Sequence, residues 1–121
     1  MIKGALIAES LRPGTAIEGI PLVVRKLYRF TPPNVTSEQP PIWTVLEFEA
    51  TEDHADDLAT ALTGILAAPG WYCDFASPSE RFVVFPGRFF RYPRGDKAGR
   101  AEAQSYGRSV GVPKAQLDWP E

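Results

Sequence analysis

The sequence predicts an α+β fold, with a mainly antiparallel sheet, the element order β-β-β-α-β-β-β-α, and both helices packed on one face. Six short segments are rich in β-branched and aromatic residues and are separated by turns that contain Pro or Gly. Two other segments have apolar residues at helical spacing. Most links between strands are short enough for hairpins, which favours antiparallel pairing.

Three strands are predicted before the first helix. The first runs from Ile2 to Leu11, the second from Ile20 to Phe30 and the third from Ile42 to Ala50. The second and third are separated by Thr31 to Pro41, a segment with four prolines. Because proline lacks a backbone donor and biases its neighbours toward extended conformations, we expect a loop that is flexible or faces a ligand.

The apolar spacing changes from two to 3.6 residues after the third strand. A buried helical face is predicted for Ala55, Leu58, Ala59, Leu62, Ile65 and Leu66. Thr51 or Asp53 is expected to cap this helix, since both side chains can accept from free backbone amides. Pro69-Gly70 is expected to end it.

The second half repeats the pattern of three strands followed by a helix. The predicted strands are Trp71 to Ala76, Arg81 to Phe85 and Arg88 to Tyr92, with a type II turn at Pro86-Gly87. Asp96 is the expected cap of a helix that continues to about Val110 and ends at Gly111. The tail, Leu117 to Trp119, is expected to dock on the core.

Composition indicates one globular domain over residues 1–121, without a disulfide framework. The chain has 44% hydrophobic residues, 23% charged residues, a net charge of −2 and one cysteine. We therefore expect a cytoplasmic protein that has no signal peptide and does not associate with a membrane.

Two chemically reactive features are interpreted as structural. The lone histidine, His54, lies among carboxylates at a helix start, where the helix dipole favours acidic residues without any metal. Cys73 alternates with Trp71 and Phe75, which indicates a buried thiol. No ligand spacing such as H-E-x-x-H is present, so we expect neither a metal nor a cofactor.

Two regions remain as candidate sites. Tyr72 and Asp74 share the strand face opposite Cys73, where they line either a pocket or a solvent-facing edge. The second region is basic and aromatic: Ser79 to Lys114 has eight basic and three acidic residues, whereas Pro41 to Pro78 has seven acidic and no Lys or Arg residues. The segment is either a core hairpin whose outward face is basic or a surface for self-association or an acidic protein partner, and single-stranded nucleic acid is less favoured.

The chain resembles a group of small bacterial proteins of no assigned function. The resemblance lies in Gly70-Trp71-Tyr72-Cys73-Asp74-Phe75, Val83-Val84-Phe85, Phe90-Arg91-Tyr92, the segment from Tyr106 to Pro113, and Gln116-Leu117-Asp118. It implies a free-standing domain and gives no catalytic residues to carry over.

The leading hypothesis is a non-catalytic binding or interaction domain, an accessory or regulatory protein that recognises a partner or forms a homodimer. The alternative is a small-ligand-binding or enzymatic domain with a pocket near Tyr72, Asp74, Arg91 and Tyr92. A second alternative is single-stranded nucleic-acid binding through the basic hairpin. The candidate ligand or interface residues are Tyr72, Asp74, Arg88, Phe90, Arg91 and Tyr92.

Overall fold

A computed structural model describes residues 1–121 and contains one antiparallel sheet of six strands, in the order β2-β3-β1-β4-β5-β6. The strands are β1 (Ile2–Ile7), β2 (Val23–Phe30), β3 (Trp43–Ala50), β4 (Cys73–Ala76), β5 (Glu80–Phe85) and β6 (Arg88–Pro93). The helices are α1 (Ala55–Ile65) and α2 (Lys97–Ser109). The predicted α+β class, antiparallel sheet and element order are therefore confirmed.

The two helices lie on opposite faces of the sheet, which corrects the prediction that both pack on one face. Phe82 and Val84 of β5 belong to a core formed with α1, whereas Val83 and Phe85 belong to a second core formed with α2. Alternate residues of a strand point to opposite faces, so these two pairs require two covering layers. The run from Phe82 to Phe85 is apolar and buried at every position, as is typical of a strand that is covered on both faces.

The face that α1 covers, called the first face below, carries the larger core. The predicted helical face packs here, with Leu58, Ala59 and Leu62 fully enclosed against the sheet. Neither Thr51 nor Asp53 caps α1 as predicted, because a 3₁₀ turn (Glu52–His54) leads directly into the helix and no side chain bonds to its first amides. The segment after β1 covers the rest of this face with Leu11, Ile17, Ile20 and Leu22.

The opposite face, called the second face below, is covered by α2, and small residues let this helix approach the sheet closely. A side-chain carbon added at Gly99 would lie 2.7 Å from Tyr92, and one added at Gly107 would lie 2.7 Å from Leu117. Ala103, which lies between them on the same helical face, is completely buried. The Asp96 side chain accepts from the Gly99 amide as predicted, at 3.1 Å.

The C-terminal tail completes the second core, as predicted. Leu117 and Trp119 are buried, and the Trp119 indole donates to the Tyr92 hydroxyl at 2.7 Å. The side chain of Arg100 in α2 holds the tail from the other side by donating to the Trp119 carbonyl. The tail therefore follows α2 and lies beside it over the sheet.

The second face is covered only in part. Its core takes residues from β5, β6, α2 and the tail, together with Tyr72 immediately before β4. On the same face, Lys3, Ala5 and Ile7 of β1 lie under no helix and keep part of their surface exposed. Half of the sheet, formed by β2, β3 and β1, is thus open on this side.

Strand β2 forms one edge of the sheet and is the most exposed element of the fold. Val24 and Leu27 are 49% and 63% exposed. The predicted loop follows this strand and is attached to the rest of the protein at Gln39, which is buried and donates to the Gly70 carbonyl at 3.2 Å.

Leu62 and Leu27 provide a matched test of this arrangement. We expect Leu62→Ala to lower the free energy of unfolding by about 2–5 kcal/mol, because the side chain is enclosed under the sheet. Leu27→Ala on the exposed edge should cost less than about 0.5 kcal/mol. Urea denaturation of both variants measures the difference. Equal losses would contradict the packing of α1.

Candidate functional site

A cavity of about 280 Å³ lies on the open half of the second face. Ala5 and Ile7 of β1 line it together with Asp74 of β4, and the tail and the loop after β2 line its sides. Its volume is close to the lower end of the range for ligand pockets. The lining side chains that bear on its chemistry are Phe30, Trp43, Trp71, Tyr72, Asp74, Gln116 and Asp118.

One side of the cavity is aromatic. The rings of Trp43 and Trp71 lie 5.0 Å apart, and the Phe30 ring meets Trp43 edge to face at 6.1 Å. The Trp43 indole donates to the Pro40 carbonyl at 2.9 Å. These contacts fix the rings in place before any ligand arrives, because each is held by a neighbour that belongs to the protein.

Tyr72 forms the wall between the cavity and the second core. Its hydroxyl donates to the Gln116 carbonyl at 2.5 Å, and its ring packs against Phe85 and Trp119. Burial, followed by the nearby charges of Asp74 and Asp118, raises the pKa of this phenol well above its usual range. Tyr72 therefore remains neutral and holds the tail against the sheet.

Asp74 brings a negative charge to the side of the cavity opposite the Trp43 and Trp71 rings. Burial raises the pKa of its carboxyl group to about 6, an effect that the Arg81 guanidinium opposes and the charge of Asp118 reinforces. One carboxylate oxygen of Asp74 accepts from Arg81 at 3.0 Å. The side chain is 23% exposed, so the carboxyl group also reaches the cavity.

The rim is closed by a pair of glutamines that the sequence did not single out. The side-chain amides of Gln39 and Gln116 donate to each other's oxygens at 3.1 and 2.9 Å. The Gln116 amide also donates to the carbonyl of Asn34. This clasp joins the proline-rich loop to the tail, so the loop faces the cavity as expected, while its predicted flexibility remains a prediction.

A second, more open cavity of about 460 Å³ adjoins the first and shares Ala5 and Asp74 with it. Its charged lining is mostly paired: Glu49 forms ion pairs with Lys3 at 3.4 Å and with Arg25 at 2.5 Å. Arg81 is buried here, and its Nε atom has no hydrogen-bond partner. The groove across the open face therefore has an aromatic end and an ionic end.

Of the six candidate residues, only Tyr72 and Asp74 line the cavity. Phe90 and Tyr92 are buried in the second core beneath α2 and the tail. Arg88 lies 4.4 Å from the Phe90 ring and also lies over Tyr106 of α2. The predicted pocket therefore lacks Tyr92, because its strand turns this ring under α2.

Arg91 also lies outside the pocket, on the other face of the sheet. Its guanidinium binds both oxygens of Glu80 at 2.7 Å and one oxygen of Asp56 at 2.8 Å. The predicted association of Arg91 with Tyr72 and Asp74 is thus wrong. Consecutive residues of β6 alternate between faces, so Arg91 and Tyr92 point to opposite sides of the sheet.

The two features that were interpreted as structural lie away from the cavity. The Cys73 thiol is buried against the first core and contacts the carbonyl of Ala5 at 3.4 Å, and burial raises the pKa of this thiol. His54 lies at the start of α1, and no group of three His, Cys, Asp or Glu side chains is arranged to hold a metal ion. Neither helix has the length and apolar composition needed to cross a bilayer.

Asp74 should titrate near pH 6, measurable from its side-chain carboxyl carbon by NMR. Because the folded-state pKa is raised, the native protein binds this proton more tightly than the unfolded chain. Its contribution to stability is therefore greatest at low pH and falls as pH rises from about 4 through about 6.

Comparison of Asp74→Asn with the parent protein isolates this contribution, since Asn keeps an oxygen that can accept from Arg81. We expect the parent to lose stability relative to Asp74→Asn between about pH 4 and 6. Glu80→Gln should show the opposite sign, because the hydrogen bonds from Arg91 lower the pKa of Glu80. Denaturant unfolding across this range measures both. A parent-minus-variant difference that does not change with pH for Asp74→Asn would contradict the raised pKa.

Comparisons of this chain with protein-family models, curated proteins and solved structures gave no match.

Proposed function

We propose that this chain is a small-ligand-binding domain whose site is the aromatic cavity on the open half of the sheet. The observation that supports this proposal most directly is a preformed cavity of about 280 Å³ that combines large rings with a few polar groups. Ligand sites typically have this composition, because apolar walls supply affinity and a small number of polar groups fix orientation.

The rigidity of the lining also supports ligand binding. Trp43 and Tyr72 each form a hydrogen bond to the protein, and the Gln39–Gln116 clasp fixes the rim. A ligand that enters such a site does not have to order these side chains first, which lowers the entropic cost of binding. Asp74 and Asp118 supply charged groups that face the cavity.

The alternative based on the basic hairpin has less support. Self-association through this hairpin, or stacking of nucleic-acid bases on it, requires exposed aromatic rings at its surface. Phe90 and Tyr92 are instead 9% and 4% exposed. The arginine charges are also engaged within the chain, since Arg91 binds Asp56 and Arg81 binds Asp74.

Filling the cavity tests the proposal. Ala5→Leu places a larger side chain on the cavity floor, where there is open space rather than packed core. We expect ligands found in a fragment screen of the parent protein by protein-observed NMR to shift the amides of Ala5, Tyr72, Asp74 and Gln116, and Ala5→Leu to abolish these shifts.

Ala101→Leu on the exposed side of α2 is the matched control, and it should bind like the parent protein. If no fragment perturbs the cavity, or if Ala5→Leu leaves binding unchanged, the proposed site is wrong.

A second candidate function, recognition of an acidic protein partner, is favoured by strand β2. Its outer edge is unpaired, and it has three basic residues and no acidic one. Arg25 is in an ion pair with Glu49, whereas Lys26 and Arg29 form no ion pair within the chain. Exposed strand edges can pair with an added strand. Pairing of β2 with a second copy of itself would bring like charges together, so an acidic segment is the better complement.

This candidate predicts that an extended peptide of alternating Glu and Val adds to β2. Titration by NMR should shift β2 amides, and Lys26→Glu with Arg29→Glu should remove the effect. Lys97→Glu with Arg108→Glu, two exposed changes on α2, is the control with the same change in net charge. Binding that survives the β2 substitutions, or is lost equally in the control, would rule out recognition at this edge.

A further inference from the structure

We infer that the ligand of the aromatic cavity is an organic cation, in which an ammonium group is attached to a small apolar body. This inference rests on the proposed function, because it assigns the chemistry of the same site. It is carried by the charge of the lining, by the rings beside that charge, and by the limited volume.

The lining is negatively charged and contains no counter-charge of its own. Fourteen residues line the cavity, and they include two carboxylates, Asp74 and Asp118, but no Lys, Arg or His. Asp118 is exposed and forms no ion pair with any other residue of the chain. Arg81 lies behind Asp74 and bonds to one of its two oxygens. A cation in the cavity would therefore meet two carboxylates.

The aromatic lining favours the same charge. Phe30, Trp43, Trp71 and Tyr72 all border the cavity. Aromatic faces carry negative electrostatic potential and attract ammonium groups, most strongly for Trp. An anion would be repelled by both the rings and the carboxylates, and a neutral apolar ligand would leave Asp118 without a charged partner.

Hydrogen bonding defines how the ammonium group is held. An ammonium nitrogen has three donors and no acceptor. Asp118 and the Asp74 oxygen that does not bind Arg81 are its acceptors, while the apolar body of the ligand contacts Trp43 and Phe30. The cavity volume of about 280 Å³ limits that body to one ring or a short chain.

A series of three ligands that share a benzyl or phenyl ring tests the charge. Benzylammonium, benzyl alcohol and benzoate would be titrated separately into the full-length protein at about pH 7.5, and binding followed by amide shifts and calorimetry. We expect benzylammonium to bind at least about tenfold more tightly than benzyl alcohol, and benzoate to be the weakest.

The outcomes separate the ligand class from the site. If benzyl alcohol or benzoate binds in the cavity as tightly as benzylammonium, the assignment of the ligand as a cation is wrong, while the proposed ligand site is supported. If none of the three ligands shifts the amides of the cavity but uncharged or anionic fragments do, the assignment of the ligand as a cation is again wrong. If nothing perturbs the cavity, both the inference and the proposed function fail.

Asp118→Asn isolates the charge with little change in shape, because this side chain is exposed and lies outside both cores. The substitution should weaken benzylammonium binding by about fivefold and leave benzyl alcohol binding unchanged. Asp57→Asn, an exposed carboxylate on α1 at the other face, is the matched control and should change neither. An equal loss for both ligands in Asp118→Asn would indicate a structural effect and contradict the inference.

Lowering the pH provides an independent readout. Protonation of Asp74 near pH 6 should weaken benzylammonium binding at about pH 5, and Asp74→Asn should remove most of that dependence. The other charged groups that face Asp74 are Arg81 of β5 and Asp118 of the tail, with Lys3, Arg25, Glu47 and Glu49 around the adjoining cavity. Unchanged affinity across this range would contradict a cation held by Asp74.

The same chemistry can come from a free amine or from a lysine side chain of another protein. n-Butylammonium and N-acetyl-lysine methylamide distinguish these sources. Tighter binding of the free amine indicates a metabolite, and equal or tighter binding of the lysine derivative indicates a polypeptide; both outcomes support the ammonium. Failure of both to compete while benzylammonium binds would restrict the apolar body to an aromatic ring and leave the ammonium assignment in place.

Discussion

The structure depends on a constraint at strand β5, which is apolar on both faces and fully buried from Phe82 to Phe85. A strand of this kind is stable only when a separate layer covers each side, because its alternate side chains point in opposite directions. Helix α1 provides one layer, and α2 with the C-terminal tail provides the other. Since α2 is placed to cover β5 and β6, the second face remains open over β1 and β3, and the cavity occupies that opening.

The tail connects the core to the candidate site. Leu117 and Trp119 are buried on the second core, whereas Asp118 between them is exposed and faces the cavity. The contacts that anchor the tail therefore also position a carboxylate at the site. Tyr72 also connects the second core to the candidate site, because its ring packs in the core and its hydroxyl donates to the tail.

Local patterns predicted the elements well, since strand composition, helical spacing and turn residues act over a few positions. The cap at Asp96 and the buried face of α1 are examples. Sequence also paired Tyr72 with Asp74, because both belong to one strand face. It did not place Trp43, Gln39 or Gln116 at the site, since these residues meet through pairings between distant parts of the chain. Arg91 was misplaced because the covering of both faces was not foreseen.

Thiol reactivity in the folded protein measures whether the second face is open at β1. Ala5→Cys would place a thiol in the cavity, and the native Cys73 on the paired strand β4 serves as an internal control because it is buried on the opposite face. With a neutral thiol reagent, we expect rapid labelling at position 5, while Cys73 stays protected until the protein unfolds. Equal protection of both thiols would mean that β1 is covered on this face.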